Sequence, residues 1–291
     1  MFLNISKPVI CTPLDTHRAG ADEVKLWMAR FDLLHPLVSG NKWYKLYYFL
    51  KEAATLNATT IVTYGGAYSN HLLATAAACH TLNLKCKGIV RGEAPEILSP
   101  TLHICMQKGM ELEFVSRESF LTMKYRTGLH ADEYHIPEGG YHALGTQGAA
   151  LMYNAVKHLQ PTHIVTAVGT ATTFAGIVSV ADARVVAVPV LKNMTDIPDR
   201  LKQLEVIAKP NDYVIWDEYH FGGYAKTTPA LFEFMEQMNA QYQIPLDKVY
   251  TAKMMYAVRD RMQQGYFPPG SRVVCLHTGG LHGNLALGQK V

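Results

Sequence analysis

From about residue 60 onward, short β-branched runs alternate with longer segments of helical period, and this alternation confines the chain to mostly parallel sheets covered by helices. The runs lie at 60–64, 85–91, 111–115, 163–168, 184–190, 213–215 and 272–276, each bounded by turn residues or by a helix. Residues 70–80 are rich in Ala and Leu, 99–108 open with Pro100 in the first turn, and 251–265 end on Gly265, all helix signatures. The fold class is α/β, with strands enough for two sheets. Between 122 and 146 the apolar period fades and Gly128, Pro137, Gly139, Gly140 and Gly145 accumulate, which predicts a long crossing or surface loop and a lobe boundary nearby.

With 291 residues the chain has room for two lobes sharing a cleft. Its formal charge is only +3 and no basic run stands out, so nucleic acid is not an expected partner. The five cysteines are odd in number, scattered, and never spaced as Cys-x-x-Cys, which predicts reduced thiols. His277 with His282, or His135 near Glu133 and Glu138, matches no zinc spacing, and no metal is expected. Residues 1–10 lack the basic and long apolar regions of a secretory signal, and no apolar window is long enough to span a bilayer. A cytoplasmic protein without a membrane partner is the expectation.

Three glycine-containing turns follow predicted strands, where an open α/β sheet binds its ligands. The first, Tyr64-Gly65-Gly66-Ala67-Tyr68-Ser69-Asn70-His71, leads into a helix whose unpaired N–H groups suit a carboxylate. The second, Gly169-Thr170-Ala171-Thr172-Thr173-Phe174-Ala175-Gly176, sets hydroxyls and amides around a potential phosphate, yet lacks the Lys-Ser/Thr ending of a nucleotide P-loop. The third is His277-Thr278-Gly279-Gly280. Ser69 is no hydrolase nucleophile by pattern, since Ala67 and His71 stand where Gly-x-Ser-x-Gly needs glycine. Ahead of these turns, Lys42 in Gly40-Asn41-Lys42-Trp43-Tyr44 follows a glycine and adjoins aromatic bulk. Desolvation there would favour the neutral amine that Schiff-base chemistry needs.

Taken in order, Gly40-Asn41-Lys42, Gly65-Gly66-x-x-Ser69-Asn70-His71, Gly169 to Gly176 and His277-Thr278-Gly279-Gly280 resemble the D-cysteine desulfhydrase and 1-aminocyclopropane-1-carboxylate (ACC) deaminase family of fold-type II pyridoxal 5'-phosphate (PLP) enzymes, from about residue 8 to the carboxyl end. The resemblance implies twisted, mostly parallel sheets in two domains: a large PLP-binding domain of residues 1–50 and 156–291, and a small domain of residues 51–155. It implies a homodimer. Lys42 matches the lysine that holds the cofactor and moves the Cα proton. Ser69, Asn70 and His71 match the segment receiving the substrate carboxylate, with Asn70 also on the cofactor's ring hydroxyl. Gly169, Thr170, Ala171, Thr172 and Thr173 match the phosphate loop, Tyr224 and Tyr250 match two active-site tyrosines, the second against the pyridine ring, and Thr278 matches a position near the ring nitrogen.

Two positions divide the branches. The ACC-deaminase pattern has Glu after the second tyrosine and Leu after the late histidine, whereas Thr251 and Thr278 stand here. A carboxylate beside the ring nitrogen would hold its proton and deepen the electron sink, while a hydroxyl does not enforce it. The expected activity is therefore conversion of D-cysteine to pyruvate, ammonia and sulfide, with ACC deamination and a catalytically weakened PLP- or amino-acid-binding protein as alternatives. The weakened form enters because Ala171 and Thr172 replace glycines common in the phosphate loop; separately, Tyr44 stands where the family commonly has a basic residue.

Overall fold

The computed structural model describes residues 6–287 apart from 18, 19, 22 and 210. Its strands are β1 (Cys11–Leu14), β2 (Lys25–Ala29), β3 (Thr60–Gly65), β4 (Lys85–Arg91), β5 (Met110–Val115), β6 (Gly128–His130), β7 (Glu133–Ile136), β8 (His163–Val168), β9 (Arg184–Pro189), β10 (Tyr213–Ile215) and β11 (Arg272–Leu276). The helices are α1 (Asn41–Thr55), α2 (Asn70–Leu82), α3 (Pro100–Gln107), α4 (Arg117–Met123), α5 (Ala143–Ala150), α6 (Tyr153–Val156), α7 (Thr172–Val178), α8 (Ile197–Gln203), α9 (Pro229–Tyr242) and α10 (Thr251–Gln263). All seven predicted strands and the three predicted helices are present.

Two sheets result, in the orders β1-β2-β11-β8-β9-β10 and β5-β4-β3-β7-β6. Each is parallel except at one edge, where β1 runs antiparallel to β2 and β6 antiparallel to β7. The larger sheet is covered on both faces, which explains why its strands read as unbroken apolar runs. Ile164 and Val168 of β8 enter one core with Phe174 and Ile177 of α7, while Val165 and Ala167 enter the other with Met254 and Val258 of α10. Successive side chains thus serve opposite cores, as strand geometry demands.

The 122–146 stretch is not the loop its composition predicts. It contains β6 and β7, and β7 pairs in parallel with β3 inside the smaller sheet. Tyr134, His135 and Ile136 are buried. Four residues are too short a run for either period to emerge, and the partner strand supplies what local pattern does not. Strands β1 and β2 escape sequence reading for a related reason: Lys-Leu-Trp-Met-Ala is neither alternating nor β-branched.

The helices that position the site have identifiable starts and stops. Ser69 caps α2 by accepting from the amides of His71 and Leu72 at 3.2 and 3.3 Å, and Asn83 closes it in a left-handed conformation. Helix α10 hangs on Asp247, whose carboxylate accepts from the amides of Val249, Tyr250 and Thr251 and from the Thr251 hydroxyl, at 2.7 to 3.0 Å. Two glycines let α1, α5 and α7 approach closely: a Cβ at Gly148 would lie 2.2 Å from the Tyr44 carbonyl oxygen, and one at Gly176 would lie 2.5 Å from that of Thr146. Among the described residues no helix is long and apolar enough to cross a membrane.

Candidate active site

The carboxyl ends of β3, β4, β8 and β11 deliver their following residues to one cavity of about 490 Å³, a size usual for cofactor and small-ligand sites. Of the residues singled out from sequence, Lys42, Ser69, Asn70, His71, Gly169, Thr170, Ala171, Thr172, Thr173, Tyr224, Tyr250 and Thr278 line it, and Thr251 does not. Asn41, Lys45, Arg91, Lys124, Glu138 and Arg200 line it as well and had been given no role in the site from sequence.

The first and last motifs interlock. Gly40 has φ +64°, and a Cβ there would fall 2.0 Å from the Thr278 carbonyl oxygen, so only glycine lets the turn before α1 nest against the turn after β11. Asn41 then links its own motif to the second glycine turn. It accepts from Lys42 Nζ at 2.7 Å and donates to Thr173 Oγ1 at 2.7 Å, tying the lysine to the start of α7. Thr170 and Thr172 pair their hydroxyls at 3.1 Å on the same turn. The amides opening α7 have no intrahelical acceptor and are available to an anion.

The cavity's charges are unusual. Burial pushes the Lys42 amine down to about 8, against the opposing pull of Asp247. Lys45, one helical turn on and only 3% exposed, is held well below the lysine range by burial and by the neighbouring Lys42 charge. It meets no carboxylate among the described residues. Its spacing of three from Lys42, which puts both on one helix face, was the available sequence signal. His71 is buried with neither ring nitrogen in a hydrogen bond of normal geometry, and burial, then Lys45 and Lys42, drive its pKa well below 6.5, with the Pro137 carbonyl a weaker opposing influence. It is neutral.

Tyr224 and Tyr250 meet edge to face, ring centres 6.3 Å apart. Burial raises both phenols, Tyr250 the more strongly, so both stay protonated near neutrality. Glu138 is the only carboxylate lining the cavity among the described residues, and it faces Lys124 at 3.7 Å. Thr278 offers a hydroxyl. Thr251 does not line the cavity: it is fully buried, its hydroxyl bound to Asp247 at 2.8 Å.

The sequence profile described as pyridoxal-phosphate dependent enzyme matches residues 5–279. The Arabidopsis thaliana bifunctional D-cysteine desulfhydrase/1-aminocyclopropane-1-carboxylate deaminase is 30% identical over 89% of this chain and 73% of its own length. The D-cysteine desulfhydrase of Salmonella choleraesuis is 25% identical over 88% of this chain and 87% of its own. A crystal structure of an ACC deaminase homologue superposes with a TM-score of 0.83 at 27% identity, covering 98% of this chain and 93% of the other.

Proposed function

Because the chain belongs to the family of pyridoxal-phosphate dependent enzymes, we propose that it catalyses α,β-elimination on a small amino acid and that D-cysteine is its substrate. With one water, D-cysteine becomes pyruvate, ammonia and hydrogen sulfide. The observation that carries this reading is the cavity lining: a desolvated lysine amine, two protonated tyrosines and a neutral hydroxyl at Thr278, with Glu138 the one carboxylate among the described residues.

The residues fit the cofactor. Buried Lys45, without a carboxylate, calls for an anion, and the hydroxyls and amides of Gly169 to Thr173 suit a phosphate. We assign the phosphate to these groups, covalent attachment to Lys42, the ring's polar edge to Asn70 and Thr278, and the ring face to Tyr250. When bound, the cofactor supplies an electron sink for charge left at the substrate Cα. Residues 1–50 and 156–291 are then the larger, cofactor-holding lobe and 51–155 the smaller.

The remaining steps belong to the chain. Ser69, Asn70 and His71 receive the substrate carboxylate at the start of α2. The Ser69 oxygen accepts from two amides, which leaves its hydrogen to donate. Lys42, titrating near 8, removes the Cα proton as a general base. Tyr224 or Tyr250, protonated at working pH, gives a proton to the departing sulfur.

Relatives named for ACC deamination keep that reading in view, and Thr278 weighs against it, whereas Thr251, bound to Asp247 away from the cavity lining, has no bearing on the ring. Opening an unactivated ring demands a deeper sink than expelling thiolate, and no carboxylate other than Glu138 lines the cavity among the described residues. The test is to give PLP-loaded protein each enantiomer of cysteine, and ACC, while measuring sulfide, pyruvate and α-ketobutyrate. D-Cysteine should yield sulfide and pyruvate in equal amounts. Turnover of ACC at a matching rate would refute the assignment.

A further inference from the structure

Phe221, Gly222 and Gly223 carry positive φ in succession, at 52°, 92° and 117°, in the segment that leads directly to Tyr224. Such a run does not hold itself. A left-handed phenylalanine is strained by its Cβ, and two glycines surrender more backbone freedom than any other residues. Local hydrogen bonds help: the Gly222 amide donates to His220 Nδ1 at 2.9 Å and the Gly223 amide to the His220 carbonyl at 3.0 Å. The firmer hold comes from below. Lys253, wholly buried on α10, donates from Nζ to the carbonyls of His220 at 2.8 Å and Gly223 at 2.7 Å, one on each flank of the run.

An ammonium buried without a carboxylate in contact is costly, and burial draws this one down to about 8 while Asp247 favours its charge. A methionine or leucine would fill the same space without that cost, so the two carbonyl contacts are what the lysine adds. They matter because 49% of Tyr224 is exposed, so beyond its contact with Tyr250 little side-chain packing fixes the ring. Its place is set by the backbone that carries it. Lys253 also lies three residues after Tyr250, on the same face of the helix start, and the two tyrosine rings touch. One helix thereby presents Tyr250 directly and Tyr224 through the lysine.

We propose that Lys253 is the positioning residue for Tyr224, gripping both flanks of the 221–223 turn so that the phenol is set against Tyr250 and the substrate's leaving group, a role that rests on the elimination reading above.

The test combines a binding-independent readout with a mutant cycle. In cofactor-free protein, amide hydrogen exchange across 220–226 should run at least tenfold faster in Lys253→Met than in wild type. Unchanged exchange would overturn the grip whatever the kinetics show. In PLP-loaded enzyme, Lys253→Met should lower kcat for D-cysteine at least tenfold with KM changed less than threefold. In a Tyr224→Phe background the same substitution should cost no more than twofold, because residues acting as one unit are not additive. Fully additive losses would overturn the link to Tyr224. Loss of the exchange effect's kinetic counterpart because Tyr224→Phe alone is harmless would instead sink the catalytic use of Tyr224, and the proposal with it. Should Lys253→Met not fold, Lys253→Ala with added n-propylamine restores an ammonium to the space. Exchange protection and kcat should both return with the amine, and failure of both to do so counts against the proposal.

Discussion

In cofactor-free protein, Lys42 should react with cyanate at neutral pH well ahead of solvated lysines. Burial lowers its amine from 10.5 to about 8. At pH 7 roughly a tenth is then neutral, against about 3 in 10,000 for an unshifted amine, an enrichment of about 300-fold. A weaker base is also a weaker nucleophile. If amines follow the slope of about 0.4–0.5 found for thiols, a shift of this size returns about 10- to 18-fold of the gain. The net advantage is about 20- to 30-fold. It is read by carbamylating the protein between pH 6 and 10, quenching, and measuring each lysine peptide by mass spectrometry. The rate at Lys42 should rise tenfold per pH unit and level off near 8. Asp247→Asn should move that plateau to lower pH, since the Asp247 charge favours the ammonium form. A rate that climbs unbroken to pH 10 would refute the desolvation argument and remove the reason for assigning general-base work to this amine.

Ala171→Gly should stabilise the protein by about 0.5–1 kcal/mol, because Ala171 sits at φ +69° where a Cβ is strained, and glycine's extra unfolded-state entropy offsets part of the relief; a lower denaturation midpoint contradicts this. Gly40→Ala should cost about 3 kcal/mol or more, since its Cβ would overlap the Thr278 carbonyl in a left-handed conformation, and chemical denaturation near wild-type values would show that the two turns do not interlock. His71 is held neutral well below the unfolded value of 6.5, so the unfolded chain gains a proton first and stability falls as pH drops below 6.5. His71→Met should remove up to about 1.4 kcal/mol per pH unit of that slope between pH 6 and 5, as urea midpoints at the two values will reveal.

Strands buried on both faces announced themselves, because a run such as His163–Val168 must be apolar on successive residues to feed two cores. The glycine turns were legible for a similar reason: close backbone approach leaves few residue choices. Resemblance, not pattern, singled out Tyr224 and Tyr250, since a tyrosine in a loop and one at a helix start look ordinary locally. Lys45 and Lys253 show where single-residue reading stops. Each is a lysine on a helix, and its meaning lies in burial that only the folded chain creates. Strand β7 went unseen because its identity comes from pairing with β3.

Strand β11 is the last of the described strands yet lies between β2 and β8, in the middle of the larger sheet, and the turn behind it seats Gly40. The amine-bearing helix packs against earlier elements, but the turn that seats Gly40 comes from the segment behind β11. A chain that stops short of residue 272 carries the lysine but nowhere to use it, so the fold itself withholds a finished centre from unfinished protein.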